Sequence, residues 1–329
     1  MSIKKMSLIL LSIMLVLTLV LAGCTKTEPS KTEPSKTEPE KAKSVQLGVA
    51  TATVGGAYYP MGQAIANVVN SHYDGVVLNA EVTNGALENN RLINDGESAL
   101  GITNADLAYY AASGQKPYEK KQDVVAVGNL HPSVFHIITL ADSPIKGIED
   151  LKGKRVAVGP AGGASIGIME NILKEYGMSF NDISPSYLPY SDGFSQLSDG
   201  NIDVALATSG FPAAAVMEIA ATKAIKFMEV EESKFKNMLD QYPYYTDAVV
   251  SKDVYKLDKD TKAIGISNLL VCKSDMDEDI VYNITKALYD NIQELKENNK
   301  TAEQIDTSKL SETSIPLHPG AQKYFDEKK

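Results

Sequence analysis

The chain has 329 residues, a formal net charge of −10, 43% hydrophobic and 22% charged residues, no Trp and two Cys. That length suits about two domains of roughly 150 residues each, and the hydrophobic fraction is enough for packed cores. An acidic balance of this size draws neither nucleic acid nor anionic headgroups, so any anion site has to be local. Cys24 and Cys272 make no disulfide framework, and His72, His131, His136 and His318 are too scattered for a metal site. No metal and no cofactor is expected.

Lys4 and Lys5 precede an apolar run from Met6 to Val20, followed by Leu21-Ala22-Gly23-Cys24. The run is short for a span of about 20 residues and ends in small residues, the pattern of a secretory signal. Leu-Ala-Gly-Cys resembles the bacterial lipobox, in which the cysteine thiol is acylated and the chain is cut before it. Removal of residues 1–23 takes two lysines and no acid, leaving a net charge of −12. Thr25 to Lys43 then repeats Lys-Thr-Glu-Pro at 26–29, 31–34 and 36–39. With no apolar face this tract cannot offset its ordering entropy, and Pro keeps it extended, so it reads as a tether.

The body alternates strand and helix. Ser44 to Thr51 reads as a buried strand, Ala57 to Ser71 as a helix, Val76 to Val82 as a strand and Ala86 to Asn94 as a helix. Ala99 to Thr103 is a strand and Ala105 to Ser113 a helix. Val124 to Gly128, Val134 to Leu140 and Lys154 to Val158 read as strands, and Ser165 to Tyr176 as a helix. Asp203 to Thr208 is a strand, Pro212 to Ala221 a helix, Ala263 to Cys272 a strand and Asp279 to Glu297 a long amphipathic helix. Such alternation predicts an α/β fold with mostly parallel sheets flanked by helices. Arg91 to Asn104 and Gln196 to Ser209 are alike: helix end, a turn with Gly96 or Gly200, then a strand ending in polar residues. Two similar lobes with both polar ends in one cleft are implied, since ligands of open α/β sheets sit beyond the strands' carboxyl ends.

Two glycine-bearing loops lie at strand-to-helix junctions. The first, Thr51 to Pro60, carries Thr53, Gly55, Gly56 and Tyr58; the second, Gly159 to Ser165, carries Gly163, Ala164 and Ser165. Glycine lets backbone approach a ligand, and the N–H groups at a helix start favour a carboxylate or phosphate. Tyr58 and Tyr59 offer a wall and a phenol donor. Neither loop is a P-loop or a dinucleotide fingerprint. Supporting positions are Asn84 with Gly85, Asn104, and Ser209 with Gly210. Arg91 and Arg155 are the only arginines and lie in neither loop, so recognition by backbone N–H, hydroxyl and amide groups is expected. No nucleophile–base pair or paired acids suggest an enzyme.

Several stretches resemble the TAXI family of solute-binding proteins, which serve TRAP-type transporters: Thr53 to Gly62, Asn84 to Leu92, Asn104 to Tyr110, Ser143 to Val156, Gly159 to Ser165 and Leu317 to Ala321. The chain departs from the family pattern at Ala52-Thr53 and Ala164-Ser165. The resemblance implies a two-lobed type II periplasmic-binding-protein fold with two crossing strands and closure over one ligand. It implies a small carboxylate such as glutamate, 2-oxoglutarate or another C4–C5 dicarboxylate, and TRAP permease subunits as partners. The expected organisation is a signal peptide at 1–23, a tether at 24–43, lobe I at 44–134 and 246–329, and lobe II at 135–245. Rival readings are a binding subunit of an ABC importer and a sensor partner or surface adhesin. Cys24→Ala is predicted to leave the protein unlipidated and shed or unprocessed; normal partitioning of the variant into a detergent phase would contradict the lipid anchor.

Overall fold

The computed structural model describes residues 44–52 and 57–329. The segments expected to be a signal peptide and a tether, Cys24 expected to be lipidated, and the loop positions Thr53, Gly55 and Gly56 lie outside the described residues. The elements run β1 (Val45–Ala50), α1 (Tyr58–His72), β2 (Val76–Glu81), α2 (Ala86–Asp95), β3 (Leu100–Asn104), α3 (Ala105–Ser113) and the long β4 (Val125–Leu140). Then come β5 (Arg155–Ala157), α4 (Ser165–Glu175), β6 (Ser184–Ser186), α5 (Tyr190–Ser198), β7 (Val204–Ser209), α6 (Ala214–Thr222), β8 (Ile225–Phe227) and α7 (Glu232–Gln241). The chain ends with β9 (Tyr245–Val250), α8 (Lys252–Tyr255), β10 (Thr261–Cys272), α9 (Glu278–Asp290), α10 (Ile292–Asn298) and α11 (Pro319–Glu327).

The strands follow the order β2-β1-β3-β10-β4-β7-β5-β6, with β9 on β10 and β8 on β4. β2, β1 and β3 are parallel, as are β7, β5 and β6, so each half is the parallel sheet that βαβ units build. Between them β10 and β4 run antiparallel to their neighbours and to each other. β10 borders β3 through Asn268–Cys272, and β4 borders β7 through Val134–Ile138. The two long strands therefore carry the chain from one half to the other, giving an α/β, two-lobed architecture of the periplasmic-binding-protein kind. The lobe boundary read at residue 134 falls inside β4, because one continuous strand serves both halves.

Separate apolar cores hold the halves. Ile65, Leu78, Leu100, Ile284 and Leu288 pack in one; Leu151, Val156, Ile168, Ile172 and Leu206 pack in another. A third, with Phe194, Leu197, Val216 and Tyr255, covers the opposite face of the second half-sheet. The alternating strands read from sequence expose one class of apolar side chain to each layer of helices, as a sheet covered on both faces requires.

Two elements differ from the sequence reading. The segments 124–128 and 134–140 are one strand, because Pro132 is accommodated at a β-bulge. Ser267 pairs Pro132 and Leu269 pairs Asn129, so Leu130 and His131 both oppose Asn268. A bulge leaves backbone groups out of the ladder, and it is where Pro, lacking an N–H, is tolerated inside a sheet. The helix expected over 279–297 breaks at Asn291, whose amide donates to the Ala287 carbonyl at 2.8 Å and so competes with the helix backbone. The two alike segments share one turn: Gly96 and Gly200 have φ of +73° and +76°, and each precedes a strand, β3 or β7. Among the described residues no helix is long and apolar enough to cross a membrane.

Candidate functional site

A cavity of about 300 Å³ opens between the halves at the carboxyl ends of the strands, a volume at the small end of ligand pockets. Ala57, Gly85, Asn104, Ala164 and Pro189 all line it, and each is the residue that begins a helix: α1, α2, α3, α4 and α5 respectively. Among the described residues none of these five starts is capped by the side chain of its first residue, although the first-turn Leu107 N–H of α3 goes to Asp106 Oδ1 at 2.7 Å. By contrast α8, α9 and α11 are capped by Ser251, Asp277 and His318. An uncapped start leaves N–H donors and the positive end of the helix dipole directed at the cavity.

Among the described residues no Lys, Arg or His lines this cavity, and its ionisable lining groups are Tyr58, Tyr190 and the exposed Asp192. Arg155 is held elsewhere, its guanidinium paired with Asp203 at 2.6 and 3.1 Å. The positive potential here is thus backbone potential, fractional and spread over several termini.

Of the positions named from sequence, Tyr58, Asn84, Asn104, Gly163, Ala164 and Ser209 line the cavity together. Ser165 does not: it is fully buried and its hydroxyl donates to the Val158 carbonyl at 2.7 Å, closing the β5–α4 turn. Gly210 is also outside the lining and packs toward Thr301 and His131. The phenol of Tyr58 differs from its expected role as a ligand donor, because it donates instead to Asn268 Oδ1 at 2.6 Å. Sequence reading missed Ser133, Tyr190, Thr208 and the supporting Asn268. Thr208 was within reach of it, as the penultimate residue of a strand read to deliver polar groups at its carboxyl end. Ser133 and Asn268 carry no such local signal, since a fold across the bulge brings them together.

The loops of the two halves touch. Leu87 N–H in α2 donates to the Gly162 carbonyl at 3.2 Å, so the second half satisfies one free donor of a first-half helix. Gly162 has no room for a side chain there, since a Cβ would lie 2.7 Å from the Asn84 carbonyl oxygen. Gly85, with φ of +111°, occupies a backbone region that L side chains rarely adopt.

Around the cavity several polar groups are buried without partners among the described residues, including Thr208 Oγ1, Asp106 Oδ2 and both ring nitrogens of His131. Asp106, two residues beyond Asn104, receives only the Leu107 N–H, at 2.7 Å on Oδ1. Burial raises its carboxyl from 3.8 to about 7 against that hydrogen bond. Burial likewise drives His131 and His136 down to about 4. Burial first, and then the charge of Asp106, holds the Tyr58 phenol protonated.

Residues 49–328 match the model of the NMT1-like family. The chain belongs to the NMT1-like family. A protein of Escherichia coli (strain K12) named for binding aliphatic sulfonates is 33% identical over 99 residues, 30% of this chain and 26% of that protein. The match thus spans only about a quarter of that relative. Among solved structures, one from a study of glutathione import via GshT and the cystine ABC importer TcyBC of Streptococcus mutans is 12% identical. It covers 81% of this chain and 100% of that one with a TM-score of 0.52. A Listeria monocytogenes protein named as an L-cystine ABC transporter is 14% identical, covers 82% and 99%, and has a TM-score of 0.51. At these identities the two structures share the fold.

A carboxyl raised in the folded state favours folding while protonated, so the Asp106 contribution is fully present below pH 3.8 and is lost as pH rises to about 7. The buried histidines act oppositely, since the unfolded chain binds their protons more readily between about pH 4 and 6.5. Comparison of the parent with Asp106→Asn isolates the first effect. The stability difference by urea unfolding should shift in favour of the variant from pH 4 to pH 7, by on the order of 4 kcal/mol, and stay level above. A difference flat across that range would show that Asp106 is not held in a low-polarity site.

Proposed function

We propose that the protein is the extracytoplasmic solute-binding component of an ABC-type importer and that it captures a small organic mono-anion, a carboxylate or a sulfonate. The observation that carries this reading is the convergence of five uncapped helix N-termini on one small cavity at the seam between the halves. Backbone N–H groups there are preorganised for acceptor oxygens and need no reorganisation on binding. The ligand leaves chemically unchanged.

The charge inventory narrows the dicarboxylates considered from sequence. A second carboxylate would sit without a cationic side chain in a cavity that already carries Asp192, and an unpaired charge taken from water is costly. One anionic group with an apolar body fits better, because Pro160, Pro189, Ala52, Ala86 and the tyrosine rings form much of the wall. Within this reading Asn84, Asn104, Gly163, Ala164 and Ser209 contact the ligand, as do Thr53, Gly55 and Gly56 of the first loop, while Tyr58 supplies only the wall of its ring.

Support for an importer of the ABC type comes from the relative named for aliphatic sulfonates and from the fold shared with proteins of cystine ABC import. The TRAP-type alternative rests on the motif resemblance of the loops. Leu21 to Cys24 supports a lipid anchor at the outer face of the cell membrane, with residues 24–43 as the tether.

Isothermal titration of the mature protein with butane-1-sulfonate, pentanoate, L-glutamate, 2-oxoglutarate and succinate tests the ligand class. The mono-anions should bind at least tenfold more tightly than the dicarboxylates. Failure of every anion to bind would end the reading. Gly162→Ala, which puts a methyl group against the Asn84 carbonyl, should weaken pentanoate binding by about tenfold with little change in the ligand-free melting temperature. Unchanged affinity would mean that the seam is not closed in the liganded state.

A further inference from the structure

The bulge between the two long strands bears directly on what the cavity floor can recognise. Asn268 is fully buried on β10, opposite Leu130 and His131. Its Nδ2 lies 2.7 Å from the His131 carbonyl oxygen and 2.8 Å from Ser133 Oγ. Its Oδ1 lies 2.6 Å from the Tyr58 phenol and 2.9 Å from Asn104 Nδ2. Tyr58, Asn104 and Ser133 all line the cavity.

These four bonds admit one arrangement of hydrogens. A backbone carbonyl only accepts, so the nitrogen of Asn268 must face His131, and that fixes the amide. Its oxygen then faces Tyr58 and Asn104 and also only accepts. Tyr58 therefore commits its single hydrogen to Asn268 and shows the cavity an oxygen and a ring. Asn104 is fixed with its nitrogen toward Asn268, and keeps one further N–H. The second hydrogen of Asn268 Nδ2 goes to Ser133 Oγ. An amide nitrogen cannot accept, so the Ser133 hydroxyl hydrogen must point elsewhere, and among the described residues Ser133 Oγ donates to no recorded partner. Ser133 is 1% exposed, so this donor is almost wholly withdrawn from water. On the neighbouring strand β7, Thr208, which pairs with Phe135, carries an Oγ1 that is buried and unpartnered among the described residues.

We propose that Asn268 acts as a positioning residue that sets the hydrogen-bond polarity of the cavity floor, turning Ser133 into a donor subsite for an acceptor oxygen of the ligand while withdrawing the Tyr58 phenol from recognition. The floor thereby selects the anionic oxygen of a carboxylate or sulfonate over a neutral amide or an ammonium group at that end. This rests on the reading of the cavity as an anion site and adds which side chains discriminate. A donor buried with no partner gains most from an anionic oxygen, because a charge-assisted bond is the stronger kind and the group has no water to lose.

The test compares dissociation constants for pentanoate and pentanamide, measured by titration calorimetry on the mature protein. The parent should prefer pentanoate at least tenfold. Ser133→Ala should reduce pentanoate affinity by about tenfold and leave pentanamide within threefold, so the ratio falls. Asn268→Asp should lower the ratio similarly, since a carboxylate at 268 draws the Ser133 hydrogen to itself. Tyr58→Phe should keep the ratio within threefold of the parent. If Asn268→Asp fails to fold, Ser133→Ala and Tyr58→Phe decide between them. A ratio unmoved by Ser133→Ala in a protein that binds pentanoate would overturn the inference and leave the anion reading standing. So would a Tyr58→Phe variant that loses as much as Ser133→Ala. A parent that binds neither probe nor any other anion ends both.

Discussion

The crossing of β4 and β10 is the constraint on which the rest of the molecule depends. Two parallel half-sheets, each covered by its own helices, are joined through this antiparallel pair. At the crossing the ladder breaks into a bulge, and a side-chain amide replaces the missing backbone partner of the His131 carbonyl. A buried carbonyl left without a donor costs about 1–3 kcal/mol, so Asn268 first serves the strand pair. The same amide then reaches the start of α1 through Tyr58 and the start of α3 through Asn104. Sheet integrity and site geometry therefore share one set of hydrogen bonds.

That arrangement explains why the cavity needs no cationic side chain. Topology sends the parallel strands of both halves toward the seam, and five of the six are followed there by a helix start that lines the cavity. β1 leads to α1, β2 to α2, β3 to α3, β5 to α4 and β6 to α5. Five partial positive charges converge, and small residues at Gly85, Gly163 and Ala164 let the backbone come close. A lysine would add charge at one point and would itself have to be desolvated on closure. Distributed dipoles avoid that cost, at the price of a weaker total.

Much of this was legible along the chain. The alternation of apolar strands with amphipathic helices specifies two α/β halves, because periodicity reports which face of each element is buried. Tyr58, Asn84, Asn104, Gly163, Ala164 and Ser209 were found at strand ends and helix starts for the same reason: local pattern places a residue at the end of an element. Ser165 lies outside the lining because the same local position allows its hydroxyl to close a turn, as its bond to Val158 does. Gly210 lies outside it too, because adjacency to Ser209 says nothing of the direction in which the chain leaves the strand.

The sequence by itself determined the fold class and the places where strands end and helices begin, since these follow from the period of apolar residues along the chain. Only the tertiary structure decided which hydrogens face the cavity. Pro132 reads as a strand break until β10 lies beside it, and Asn268 reads as one polar residue in an apolar strand until the bulge gives it a carbonyl to satisfy. Hydrogen-bond direction is a property of partners, and residues 58, 104, 133 and 268 become partners only when distant stretches of backbone meet.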